Sequence, residues 1–223
     1  MRSDFARPIG KLKLYKPAVV FNGAAVYDFG GDSFLWHEKL PREARDVLAR
    51  LMEEFPSAAV EVLIDRDVYV INNNDFERTH ILHGSVEPIY VDSLSCVPDK
   101  DVIKLLFIDD PNVIDRIIVA AEKYPCPGAR WVRSDRIFFE MLPQGIDKGV
   151  GMRKLAEVCG LTDKFVVAAG DYYNDFEMLR DADMAFVPRN APDDIKAVAT
   201  RVMCDNNEGL IADVIDFLED LKL

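Results

Sequence analysis

The sequence predicts an α/β protein in which a parallel-sheet core is interrupted by a large α+β insert. Three observations carry that reading. From Asp147 onward, helical and strand patterns alternate, as they do around a parallel sheet. The apolar run Phe165 to Ala169 ends in Gly170-Asp171, and a helical pattern (Phe176, Met178, Leu179) follows at once. Strand, sharp turn and helix is how α/β folds present side chains at the carboxyl end of a strand. Between residues 25 and 137, hairpins and helices are mixed without that rhythm.

Taken in order, Met1 to Lys16 is a basic and apolar mix that reads as a helix after Pro8. Pro17 to Phe21 is a continuous apolar run, as in a buried parallel strand, and Asn22-Gly23 turns it. Ala25 to Tyr27 and Ser33 to Trp36 flank a Gly-rich turn and read as a hairpin. Pro41 suits a helix start, and Ala44, Val47, Leu48, Leu51 and Phe55 repeat at helical spacing. Ala58 to Ile64 and Val68 to Val70 read as paired strands, with Asp75 to Leu82 a helix. An irregular stretch with Pro88 and Pro98 leads to a strand, Val102 to Ile108. Pro111 to Tyr124 is an amphipathic helix, and Arg130 to Arg133 pairs with Arg136 to Met141. Then come helices at 148–159, 174–181, 192–199 and 209–222, with strands at 165–169 and 184–187. This gives core segments 1–24 and 138–223 around an α+β insert at 25–137.

Composition bounds the function. With 49% hydrophobic and 30% charged residues, the 223-residue chain is globular and can bury a sizeable core. A net charge of −12 argues against nucleic acid or an anionic membrane as partner. It also opposes an anionic substrate at long range, so a phosphate site must work through local charge or metal. Cys96, Cys126, Cys159 and Cys204 form no C-x-x-C pair, which reads as reduced thiols and a cytoplasmic location. No signal peptide or membrane-length apolar run is evident.

The chemistry concentrates at Gly170 to Asp175. Asp171 and Asp175 with the amide of Asn174 suit a hard cation such as Mg²⁺, which takes oxygen ligands and shares them with phosphate. The plainer alternative is a helix cap and a first-turn acid. Lys148 weighs against it. A lysine at a helix start gains nothing from the macrodipole, so it is expected to be held for an anion. Elsewhere, Asp65-Arg66-Asp67 reads as a hairpin turn, and His80 and His83 as an exposed helical face. Tyr172 and Tyr173 could stack on a sugar, but aromatics at a helix start more often pack.

Gly145-Ile146-Asp147-Lys148-Gly149 followed by Ala169-Gly170-Asp171-Tyr172-Tyr173-Asn174-Asp175 resembles motifs III and IV of the haloacid dehalogenase (HAD) superfamily, most closely its Cof-type sugar-phosphatase branch. Phe21-Asn22-Gly23-Ala24 resembles that branch's early turn. Met184 to Ala191 and Asn206-Asn207-Glu208-Gly209 resemble its C-terminal pattern, with Arg189 standing where a small Gly is usual. The resemblance implies a Rossmann-like core with an inserted cap, and Mg²⁺-dependent hydrolysis of a small phosphate ester such as a sugar phosphate. It implies that Lys148 and Asn174 act on the phosphoryl group, that Asp171 and Asp175 hold or orient the metal, and that Asn22 and Gly23 face substrate.

The family's Asp-x-Asp-Gly-Thr nucleophile motif does not occur before Asn22, where Asp4 is the sole acid, and the motif II strand is missing too. The resemblance therefore implies an N-terminally incomplete core, lacking about one strand–helix–strand unit of roughly 30 residues or more. Such a chain is expected to be inactive alone and to self-associate through an open sheet edge or stay loosened in its core. A non-catalytic phosphate-binding or regulatory protein is the alternative.

Overall fold

The computed structural model describes residues 16–83 and 87–222, so the helix read after Pro8 lies outside the described residues. Contacts divide the chain into a unit ending at Ile146 and a unit beginning at Asp147.

In the first unit, β1 (Pro17–Val20), β2 (Ala25–Asp28) and β3 (Ser33–His37) form an antiparallel meander. The expected direction of β1 is thereby corrected. Phe21, Asn22 and Gly23 have φ of 55°, 52° and 101°, and this reversal pairs Val20 with Ala25. A continuous apolar run marks burial and leaves strand direction open.

The unit continues through α1 (Ala44–Glu54), β4 (Ala59–Ile64), β5 (Asp67–Ile71), α2 (Asp75–His83), β6 (Ile89–Tyr90), β7 (Lys104–Ile108), α3 (Pro111–Ala121), β8 (Ala129–Asp135) and β9 (Phe138–Pro143). The described strands join in the order β6-β5-β4-β7-β9-β8, antiparallel except for β5 with β6. Alternate residues of β4 and β7 (Val60, Val62, Leu105, Phe107) meet Leu48 and Leu51 of α1 and Ile114 and Ile117 of α3 in one core. Asp110 caps α3 by accepting from Asn112 N at 2.9 Å, ahead of Pro111 at the first helical position. Because β9 lies between β7 and β8, residues 138–143 belong to this unit. The division thus falls after Ile146, later than the residue 137 expected, and an expected boundary at 24 would separate the paired β1 and β2.

The second unit runs α4 (Lys148–Val158), β10 (Val167–Ala169), α5 (Phe176–Asp181), β11 (Met184–Pro188), α6 (Asp193–Lys196), β12 (Arg201–Met203) and α7 (Leu210–Leu221). Its described strands are parallel, in the order β10-β11-β12, as the alternating pattern predicts. Leu179, Ala185, Val187 and Ile195 pack on one face of this sheet. Phe186, Met203, Leu210 and Val214 pack on the other. Among the described residues no helix is long and apolar enough to cross a membrane. All four cysteines are free thiols.

In the first unit, the sheet face opposite α1 and α3 buries carboxyls among apolar residues such as Ala59, Leu106 and Ile108. Glu61 on β4, Glu140 on β9 and Glu77 on α2 are 4%, 3% and 0% exposed. Lys104 pairs with Glu140, Ser134 donates to it, and Asn22 Nδ2 donates to its Oε2 at 2.8 Å. His80 lies 3.4 Å from Glu61 Oε1 and edge-to-face on Phe138 at 4.8 Å, packed over the sheet instead of on an exposed helical face. Three buried carboxyls beside one ammonium do not all ionise. Burial pushes Glu61 up to about 7, and burial reinforced by the charge of Glu61 pushes Glu77 up to about 8.

A carboxyl whose folded pKa exceeds its unfolded value, about 4.3, holds its proton more tightly when folded. Its contribution is complete below the unfolded value and is lost as pH rises through the folded one. Stability should therefore decline up to about pH 8 and then level off. Glu77→Gln should remove part of that decline, with Glu61 keeping the rest, and leave the variant more stable than wild type at alkaline pH. Urea unfolding of both proteins across this range checks the expectation; identical pH slopes would contradict it.

Candidate functional site

The site of the second unit is built at the carboxyl ends of its parallel strands, where loops leave the sheet and side chains are free to converge. Asp171 follows β10, Asn190 follows β11, and Asn206 follows β12. The first of these loops is marked in the sequence by Gly170-Asp171; Asn190 and Asn206 are additional residues that the fold brings to it. The signal was available for Asn190, whose polar loop comes directly after the apolar run of β11, but not for Asn206, whose preceding strand is only three residues long.

Asp175 ties the first loop to α4. The residue is 4% exposed, yet its carboxylate has three donors. Oδ1 accepts from Lys148 Nζ at 2.5 Å, and Oδ2 accepts from the backbone N–H groups of Asp171 at 3.0 Å and Tyr172 at 3.2 Å. A buried carboxylate needs such compensation, because desolvation without partners costs several kcal/mol. Asp147 caps α4 by accepting from Val150 N at 2.8 Å, which sets Lys148 at the first helical position.

Two glycines make this approach possible. A Cβ on Gly170 would lie 2.6 Å from Asp175 Cβ and 2.7 Å from its Cγ, so any side chain there displaces the carboxylate. A Cβ on Gly149 would lie 3.0 Å from the backbone carbon of Glu177, so α4 and α5 pack backbone-close at that point. The φ of Gly170 is not left-handed, so the demand for glycine at this turn is steric and not conformational.

Asp171 is exposed, and its hydrogen bond among the described residues comes from Asn206 Nδ2 at 3.4 Å. Asn174 is half-buried on the same turn. Tyr172 and Tyr173 are exposed and meet edge-to-face at 5.0 Å, so they are not core packing. Arg189, out of pattern for a small residue, forms an ion pair with Glu208 and joins the loop after β11 to the turn after β12.

The partners of Asp175 differ from those expected of a metal ligand. Both of its oxygens serve Lys148 and the turn, whereas Asp171 presents its carboxylate to solvent. Among the described residues no group of three or more His, Cys, Asp or Glu side chains could by itself hold a metal ion. A Mg²⁺ ion often takes only one or two carboxylates and completes its shell with water and substrate phosphate. Asp171 fits that limited role. Asn22 and Gly23 lie in the first unit, where Asn22 has Glu140 as its partner. Asp65 and Asp67 sit in the β4–β5 turn, with Asp65 paired to Lys100 at 3.3 Å.

A family model for haloacid dehalogenase-like hydrolases matches residues 2–215. The 5-amino-6-(5-phospho-D-ribitylamino)uracil phosphatase YitU of Bacillus subtilis is 26% identical over 206 residues, covering 91% of this chain and 76% of the relative. Among solved structures, a candidate HAD/COF-like hydrolase from Plasmodium vivax matches with a TM-score of 0.78 at 22% identity, over 92% of this chain and 73% of that one. The HAD subclass IIB sugar phosphatase BT4131 matches with a TM-score of 0.74 at 19% identity, over 92% and 76%. At these identities the structural likeness establishes the fold.

Asp175→Ala should strand the Lys148 ammonium and two backbone donors, at a loss of about 3 kcal/mol. Gly170→Ala should be destabilising through the same carboxylate. Urea unfolding of each variant at neutral pH is the check, and a midpoint matching wild type in either would refute the role given to Asp175.

Proposed function

The chain belongs to the haloacid dehalogenase-like hydrolase family, and from that premise we propose that the second unit binds the phosphoryl group of a small phosphate ester, as on the family's Cof-type phosphatase branch. The observation that carries this is the Lys148 ammonium, fixed by Asp175 beside the turn that bears Asp171 and Asn174. An attacking anion and a phosphate dianion repel each other, so catalysis needs cationic charge placed in advance. Lys148 supplies one charge that needs no reorganisation, because its partner is itself held by two amides. Asn174 donates to a phosphoryl oxygen. Asp171 holds Mg²⁺, which when bound adds the remaining charge neutralisation. Relatives named for sugar or ribityl phosphates support a polyol phosphate as the substrate class.

The 223 residues contain no Asp-x-Asp-Gly-Thr segment, and this favours a second reading in which the chain binds phosphate without turning it over. A lysine and a metal ligand position phosphate but do not form the covalent intermediate that divides the reaction into easier steps. The two readings share the binding site and part at turnover.

We expect inorganic phosphate with Mg²⁺ to bind the full chain, with binding lost in Lys148→Ala and Asp171→Asn, as followed by ³¹P NMR line broadening. Hydrolysis of an aryl phosphate by the same protein should fall far below the ordinary range of roughly 1–10³ s⁻¹. Turnover within that range, abolished by Asp65→Asn, would move the nucleophile to the β4–β5 turn and overturn the second reading. Undiminished phosphate binding in Lys148→Ala would overturn both.

A further inference from the structure

Asp171 is gripped from outside its own loop, and the direction of that grip follows from the hydrogen bonds alone. The backbone N–H of Asn206 points at the side chain of Asn190, 3.3 Å from Oδ1. A backbone N–H can only donate, so the atom facing it is the Asn190 oxygen and not its NH₂. The Asn190 amide nitrogen is thereby turned toward the Asn206 side chain, 3.0 Å from Oδ1. That side chain must accept there, which leaves its own NH₂ free to donate to Asp171 Oδ2 at 3.4 Å. Each amide orientation follows from the one before, so the flip ambiguity of asparagine does not arise. The ion pair between Arg189 and Glu208 straps the same two loops, and Glu208 also accepts from Asp205 N at 3.2 Å.

We propose that Asn206 is a positioning residue for Asp171, occupying Oδ2 so that Oδ1 is the oxygen presented to a divalent cation, and that Asn190 locks Asn206 in the donating orientation. This rests on the reading of Asp171 as the cation's ligand. Groups that orient a ligating carboxylate typically change metal affinity by roughly 10–100-fold when removed. The 3.4 Å contact and the exposure of Asn206 place the effect at the lower end.

The test is Mn²⁺ binding to the full chain, read by electron paramagnetic resonance of the free ion, for wild type, Asp171→Asn, Asn206→Ala and Asn190→Ala. Asn190 and Asn206 are exposed, so both variants should keep the wild-type urea midpoint. Asp171→Asn should lose most of the binding, Asn206→Ala should weaken it roughly 10-fold, and Asn190→Ala should weaken it in the same direction. Wild-type affinity in Asn206→Ala, with affinity lost in Asp171→Asn, would overturn the positioning role and leave Asp171 as the ligand. Equal binding by wild type and Asp171→Asn, or none by wild type, would overturn the ligand reading and the proposal with it. A lowered urea midpoint accompanying the weaker binding of Asn206→Ala would mark the residue as structural and overturn the proposal.

Discussion

A carboxylate taken out of water must be met by donors, and at Asp175 the donors come from two separated pieces of the chain. One oxygen receives Lys148 from the first turn of α4, and the other receives two amides of the loop after β10. The same group therefore folds the loop and aims the lysine. Gly170 is bare because the carboxylate lies where its side chain would be, and Gly149 is bare because α5 lies against α4. The positions of Lys148 and of the turn bearing Asp171 follow from satisfying this one buried charge.

The parallel sheet supplies the frame. Parallel strands all end at the same edge, so the loops after β10, β11 and β12 emerge side by side. Asp171, Asn206 and Asn190 meet there, and the ion pair of Arg189 with Glu208 closes two of the loops on each other. In the first unit the logic is reversed. Glu61 on its sheet and Glu77 on α2 are buried together with too few cations to neutralise them, and burial pushes both toward the protonated form.

Much of this was legible in the residues. The alternation from Asp147 onward marks the parallel sheet, and Gly170-Asp171 together with Lys148 marks the site. The hairpins around Asp28 to Asp32 and Asp65 to Asp67 are where turn residues placed them. What escaped depends on pairing in space. The run Pro17 to Val20 is equally apolar in either strand direction, and three consecutive left-handed residues decided it. Strand β12 has only three residues and opens on Arg201, too short a pattern to recognise. His80 looks like a polar surface residue until Glu61 and Phe138 are placed beneath it. That Asp175 engages Lys148 and two amides of its own turn was not visible either, because spacing along a turn does not show which oxygens are engaged.

The central claim is that the Lys148–Asp175 pair is a coupled unit from which the site is built. A double-mutant cycle measures that coupling directly, using Lys148→Met, Asp175→Asn and the double variant, with unfolding free energies at neutral pH. The account predicts a coupling of about 2 kcal/mol, with the double variant less destabilised than the sum of the singles. Additive losses within about 0.3 kcal/mol would mean that the two groups are merely adjacent, and would contradict it.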